Sequence, residues 1–204
     1  MTIERLFDLG EQAAYDLQSS NAMPRQEGAP EAFAAVEKQM PGYHLANNQM
    51  VSFVRPDVPF FRGLAQRRGR PQDIAFFAAL GDEFPKGSTP WFPAYMEQLT
   101  DEGGCQRFDG SFTRIDGTWR RFRQTWPQAY ARHAAKQLDR VEGAMAKMAE
   151  DKIVCACGDQ PDAERELEGL ARLGPQDRLG KSAAALLRGL RDRSVTFKAH
   201  CTPG

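Results

Sequence analysis

The stretch TWRRFRQTWPQAYARHAAKQLDRVEGAMAKMAE, residues 118–150, decides the fold. Within it Trp119, Phe122, Trp126, Tyr130, Ala134, Leu138, Val141, Met145 and Met148 recur at steps of three or four. Residues so spaced lie above one another on a helical surface, so the run predicts one broad apolar helix face. It is long enough for up to about nine turns. Pro127 lies inside it; without a backbone donor, and with its ring crowding the preceding turn, it kinks the helix or splits it in two.

Working toward the C terminus, PDAERELEGLARLG (161–174) and DRLGKSAAALLRGLRDR (177–193) are two more amphipathic pieces joined at Gly174-Pro175-Gln176. A short connection between two such pieces predicts a helical hairpin. The tail SVTFKAHCTPG (194–204) alternates Val195, Phe197 and Ala199 with polar neighbours and predicts extended chain.

Working toward the N terminus, GGCQRFDGSFTRIDG (103–117) carries FDGSF and IDGTW seven residues apart and predicts a loop or tight hairpin. FFRGLAQRRG (60–69), PQDIAFFAALGDEF (71–84) and STPWFPAYMEQL (88–99) are helix-length pieces divided by Gly and Pro. Gly69 is expected to stop the first of these in a left-handed conformation and Pro71 to open the next. Ile3, Leu6, Gly10, Ala13 and Leu17 mark an initial helix capped by Thr2, and PEAFAAVEKQM (30–40) a second with Pro30 in its first turn. Between them SSNAMPRQEGAP (19–30) is loop, and MVSFV (50–54) within the proline-rich 41–59 could form one short strand.

The expected fold is all-α: an irregular bundle of about seven to nine helices, with one long helix broken at Pro127, a C-terminal helical hairpin and little or no strand. Its expected divisions are an N-terminal helical appendage (1–40), a proline-rich connector (41–59) and a main helical body (60–204).

Composition narrows the function classes. The 204 residues hold 27 Lys plus Arg and 27 Asp plus Glu, so no global field draws in nucleic acid or an anionic membrane surface. Apolar runs such as IAFFAAL are too short to span a bilayer. GPQDRLGKS fails as a phosphate loop because five residues separate Gly174 from Gly180 and the preceding residues are helical. RRGRP (67–71) resembles a minor-groove hook in composition, but it lies between two apolar helical faces and reads as basic side chains closing a helix. RRFR (120–123) is a solvated flank of the long helix or a docking patch for an acidic partner. Trp91, Phe92 and Tyr95 are core or an exposed aromatic anchor.

No catalytic signature is present. His44, His133 and His200 are the only histidines and lack a second ligand at a helical step, no Gly-x-Ser-x-Gly elbow occurs, and Asp109 and Asp116 each precede Gly, a turn position. No cofactor is expected.

The four cysteines carry the chemistry that remains. Cys155 and Cys157 flank a single alanine, a spacing that fits a redox motif poorly. Three readings stay open: zinc ligands completed by Cys105, Cys201 or His200, four free thiols in a reducing cytosol, or two disulfides. In the disulfide reading each of Cys155 and Cys157 reaches a distant partner, Cys105 in the glycine-rich loop or Cys201 in the tail, with either connectivity allowed. Such bridges imply an oxidising compartment, periplasmic or secreted, with a trimmed signal; cytoplasm is the alternative.

The leading expectation is therefore a non-catalytic bacterial protein that binds a protein partner, of the inhibitor, immunity or envelope-accessory type. Its contact residues are placed on the stapled loop: Phe108, Asp109, Phe112, Arg114 and Asp116. Phe108 and Phe112 could equally fold back onto the core. The alternatives are an enzyme assembled in three dimensions around His133 or His200, or a structural zinc domain.

Overall fold

The structure is a computed structural model that describes residues 1–19, 30–48, 51–85, 92–98 and 104–199. Among the described residues it holds eight helices and six strands, divided into two units, Met1–Gly81 and Asp82–Gly204. Predominance of helix agrees with the sequence; the strands do not fit an all-α bundle.

In the first unit, α1 (Ile3–Ser19) starts where the Thr2 hydroxyl accepts from the Arg5 N–H at 3.2 Å. It buries Phe7 and Ala14, a stripe rotated slightly from the predicted one. Helix α2 (Pro30–Gln39) opens on its proline as expected. The stretch 41–59 holds an antiparallel hairpin, β1 (Tyr43–Asn48) and β2 (Val51–Pro56), with Tyr43 opposite Pro56. That stretch lies wholly inside the first unit.

Asp57 then caps α3 (Val58–Arg68), accepting from the Phe60 N–H at 3.0 Å. Gly69 does end α3, but at φ −85° rather than left-handed. Its glycine is required by space, because a Cβ there would collide with the Ala65 backbone. Helix α4 (Pro71–Glu83) follows. The core of this unit is aromatic: the Phe7 ring meets Phe61 edge-on at 5.2 Å and Phe77 at 5.3 Å, and the Tyr43 hydroxyl donates to the Phe7 carbonyl at 3.0 Å. Edge-on contacts suit the ring quadrupoles and contribute beyond the buried area.

The second unit is built on a mixed four-stranded sheet in chain order: β3 (Met96–Gln98), β4 (Gly104–Gln106), β5 (Ile153–Ala156) and β6 (Thr196–Ala199). The β3–β4 pair is antiparallel, and β4–β5 and β5–β6 are parallel. Parallel neighbours need a crossover, and here each crossover is a pair of helices. Helices α5 (Ser111–Thr125) and α6 (Ala131–Asp151) join β4 to β5; α7 (Gln160–Leu173) and α8 (Arg178–Arg191) join β5 to β6.

Two sequence expectations change here. Residues 92–98 of the supposed STPWFPAYMEQL helix form a turn and β3, because Pro93 disfavours helix before it and the segment pairs with β4. The supposed loop 103–117 is helical from Ser111 onward, so IDGTW lies within α5. Phe112 and Ile115 extend the Trp119–Phe122 series backward at the same step, and burial of that stripe outweighs the local glycines. The long run does split at its proline: Trp126 ends α5, and Tyr130, buried at φ 50°, caps α6 without breaking the apolar register.

Helices α7 and α8 form the predicted hairpin, with Asp177 capping α8 by accepting from the Gly180 N–H at 2.8 Å. A Cβ on Gly180 would strike the Gly174 carbonyl, whereas nothing lies within 4 Å of one on Gly143 in the middle of α6. These two helical glycines therefore respond to alanine with opposite sign. Gly180→Ala should lower stability by about 1–3 kcal/mol through overpacking, and Gly143→Ala should raise it by roughly 0.4–1 kcal/mol. Urea unfolding curves of both variants check this; a stable Gly180→Ala protein contradicts the close hairpin.

Candidate functional site

The α5 N terminus begins at Gly110, whose φ of 89° is left-handed and suits glycine. Its first N–H groups are capped from another helix. The Glu166 carboxylate on α7 accepts from the Gly110 N–H at 3.0 Å and the Thr113 N–H at 3.1 Å, with the Thr113 hydroxyl at 3.4 Å. Negative charge there complements the helix dipole and satisfies donors that the helix leaves unpaired. Burial pushes the Glu166 carboxyl above its ordinary pKa, opposed by the Gly110 and Thr113 donors.

The preceding turn is fastened as well. Asp109 accepts from the Ser111 N–H at 3.1 Å and pairs with Arg107 at 3.2 Å, and the Ser111 hydroxyl donates to the Arg107 carbonyl at 3.1 Å. Partial burial raises the Asp109 pKa, but the Ser111 hydrogen bonds and Arg107 outweigh it and hold the carboxyl below its usual range.

Open hollows flank this turn. One, of about 350 Å³, is lined by residues including Pro93, Met96, Arg107 and Ser111; the other, of about 660 Å³, by Phe108, Thr113, Asp162, Arg165 and Glu166 among others. Asp109, Gly110 and Arg114 line both. Arg165 pairs with Asp162 at 2.7 Å, and Arg114 donates to the Asp82 carbonyl at 3.5 Å.

The five loop residues singled out by sequence are thus divided. Asp109 and Arg114 are exposed on the rim between the hollows. Phe108 and Phe112 turn inward beneath it, Phe112 stacking on Tyr95 at 4.6 Å and lying 5.6 Å from Phe108. Asp116 faces a separate network, in which Arg120 pairs with Asp116 at 2.7 Å, Glu142 at 3.1 Å and Asp177 at 3.0 Å. Burial raises the Asp116 pKa against the pull of Arg120.

Cys105 and Cys157 are bridged, with Cα atoms 5.0 Å apart and a sequence separation of 52. Cys155 is disulfide-bonded too. The remaining cysteine, Cys201, lies outside the described residues, as do Trp91 and His200. Bridged sulfurs are not thiolates, so Cys105 and Cys157 are not zinc ligands. Phe92 is half-buried and Tyr95 fully buried. His133 is buried on α6 with its ring 6.4 Å from that of Tyr130, and neither hollow is lined by a histidine.

A second buried carboxylate sits below the site. Glu83, at the end of α4, is fully buried; Trp119 Nε1 donates to it at 2.8 Å and Arg140 approaches at 3.5 Å. Burial pushes its pKa from the ordinary 4.5 to about 7, against the opposing pull of Arg140 and Trp119. The Glu83 carbonyl also accepts from the Ala94 N–H at 2.7 Å, which ties down the turn before β3.

Sequence reading missed Glu166 and Glu83, though each leaves a trace. Glu166 occupies an apolar stripe with Ala163, Leu167 and Leu170, and Glu83 continues the stripe of Phe76 and Leu80. A carboxylate at a core position of an amphipathic helix is a signal that a buried donor awaits it.

Comparison with protein-family models, curated proteins and solved structures finds no match to this chain. Among the described residues no group of His, Cys, Asp and Glu is arranged to hold a metal ion, and no helix is long and apolar enough to cross a membrane.

Because the Glu83 pKa is raised on folding, the folded state binds more protons, and stability falls as pH climbs from 4.5 through about 7. Glu83→Gln removes that titration. The stability of Glu83→Gln relative to wild type should therefore rise by on the order of 3 kcal/mol between pH 4.5 and pH 8. Denaturant titrations at both pH values measure it; a pH-independent difference contradicts the assignment.

Proposed function

We propose that this chain is a non-catalytic protein-binding module of an oxidising, extracytoplasmic compartment, of the inhibitor, immunity or envelope-accessory type. The partner sits on the rim at the α5 N terminus, where Arg107, Asp109 and Arg114 are exposed and Phe108 and Phe112 support them from below. The observation that carries this reading is that the turn is immobilised from two sides while its charged groups stay in solvent. The Cys105–Cys157 bridge holds the strand leading into the turn, and Glu166 holds the helix leading out of it. A surface ordered before binding loses less entropy when it binds, so its contacts convert more fully into affinity.

The sulfur chemistry supports the proposed compartment. Disulfides persist where the thiol pool is oxidising, and the Cys105–Cys157 bridge, with Cys155 bonded as well, suits a chain that leaves the reducing cytosol. The hollows favour a macromolecular partner over a small substrate because they are open grooves on either side of a charged ridge, where enclosed apolar clefts are the usual small-molecule sites.

The test is a double charge reversal, Arg107→Glu with Arg114→Glu, in protein whose circular dichroism and melting temperature match wild type. Affinity for a partner isolated on the wild-type protein from an extracytoplasmic extract should fall by about tenfold or more, the effect of losing an interface arginine, with a weaker dependence on salt. Unchanged affinity removes the rim from the interface.

A further inference from the structure

The smaller hollow, of about 350 Å³, has few hydrogen-bond donors to spare. Pro85 and Pro93 carry no backbone N–H. Four other backbone donors around it are committed within the chain: Ala94 to the Glu83 carbonyl at 2.7 Å, Met96 to that of Pro93 at 2.8 Å, Arg107 to that of Tyr95 at 2.9 Å and Arg114 to that of Gly110 at 2.9 Å. Glu166 holds the Gly110 N–H, and the Asp109 carboxylate holds the N–H groups of Ser111 and of Asp109 itself. The Ser111 hydroxyl donates to the Arg107 carbonyl. Among the described residues lining the hollow, the donors left for a ligand are the guanidinium groups of Arg107 and Arg114.

Their charges are not cancelled. Asp109 pairs with Arg107 at 3.2 Å, whereas exposed Arg114 reaches only the Asp82 carbonyl, at 3.5 Å, and has no carboxylate partner among the described residues. The lining thus sets two cations against one carboxylate. A guanidinium is a planar fork that matches a carboxylate in shape and sign. One carboxylate balances the excess charge; a phosphate dianion beside Asp109 overshoots it. A chain-terminal carboxylate is the poorer fit, because such groups are captured by free backbone N–H groups, and here those are spent.

We infer that the partner presents an acidic segment to the smaller hollow, one Asp or Glu side chain seated between Arg107 and Arg114 and a neighbouring apolar side chain against Pro85, Pro93 and Met96. This rests on the rim being the binding surface and adds the chemistry of what it binds. The two arginines supply charge and orientation, while the apolar wall supplies contact area that salt does not screen.

The test selects a randomised library of short peptides, blocked at both ends, on folded wild-type protein, and locates bound peptides by NMR amide shifts of residues 107–114. Peptides bound there should share an Asp or Glu at one position. Changing that acid to its amide should weaken binding by about tenfold, and Arg114→Gln or Arg107→Gln should do the same. Arg114→Glu, with the wild-type amide spectrum retained away from the rim, should prefer the peptide carrying Lys at that position over its acidic parent. Rim-bound peptides indifferent to the acid overturn this inference and leave the rim reading standing. Peptides bound only elsewhere overturn both, as does a library that yields no binder. Tighter binding with phosphoserine at the acidic position overturns the carboxylate assignment.

Discussion

The join between β4 and β5 is the constraint on which the second unit depends. Its ladder consists of one residue pair, Gln106 opposite Ala156, with the Cys157 N–H completing it. A pair of backbone hydrogen bonds contributes only about 1 kcal/mol each, far too little to hold a crossover that spans α5 and α6. The Cys105–Cys157 bridge supplies the rest. Closing a 52-residue separation removes denatured-state entropy worth on the order of 4 kcal/mol in the chain-entropy account. The β4–β5 join, and with it the crossover made by α5 and α6, thus leans on a covalent bond, whereas β3–β4 and β5–β6 lean on their ladders.

That arrangement explains which parts of the fold were legible in sequence. The apolar series from Trp119 to Met148 is long and periodic, so the helices and even their division at Pro127 could be read directly. The α7–α8 hairpin was equally plain, because two clean stripes flank one Gly-Pro step. The sheet was not. Strands β3, β4, β5 and β6 are three or four residues long, too short for alternation to separate from chance, and their pairings are set by distant segments. The helical start at Ser111 was hidden for a related reason: its cap is Glu166, more than fifty residues away, where a local cap would have marked the boundary.

Of the site, the cysteines and the rim charges were visible, and the division of labour among them was not. FDGSF reads as one motif, yet Phe108 and Phe112 face inward while Asp109 stays out, because one turn of backbone takes the chain from strand edge to helix. The buried carboxylates follow the opposite logic. Glu83 costs desolvation that Trp119 and Arg140 only partly offset, as its raised pKa records. A buried polar group of this kind adds little net stability. What it adds here is direction: one side chain fixes the indole of α5 and approaches α6, while its backbone fixes the turn into β3.

Helix α7 connects the bridged Cys157 turn to the rim. It begins directly after the turn that follows Cys157, with Asp159 accepting from the Asp162 N–H at 2.9 Å, and carries Glu166 less than two turns further along. The Glu166 bonds to Gly110 and Thr113 leave little room for displacement, since a hydrogen bond weakens steeply once its donor moves beyond about 3.5 Å. Asp162 and Arg165, which line the larger hollow, ride on the same helix. The strand end held by the Cys105–Cys157 bridge and the rim are thus joined through one short element, capped by Asp159 at its start and tied by Glu166 to the first turn of α5.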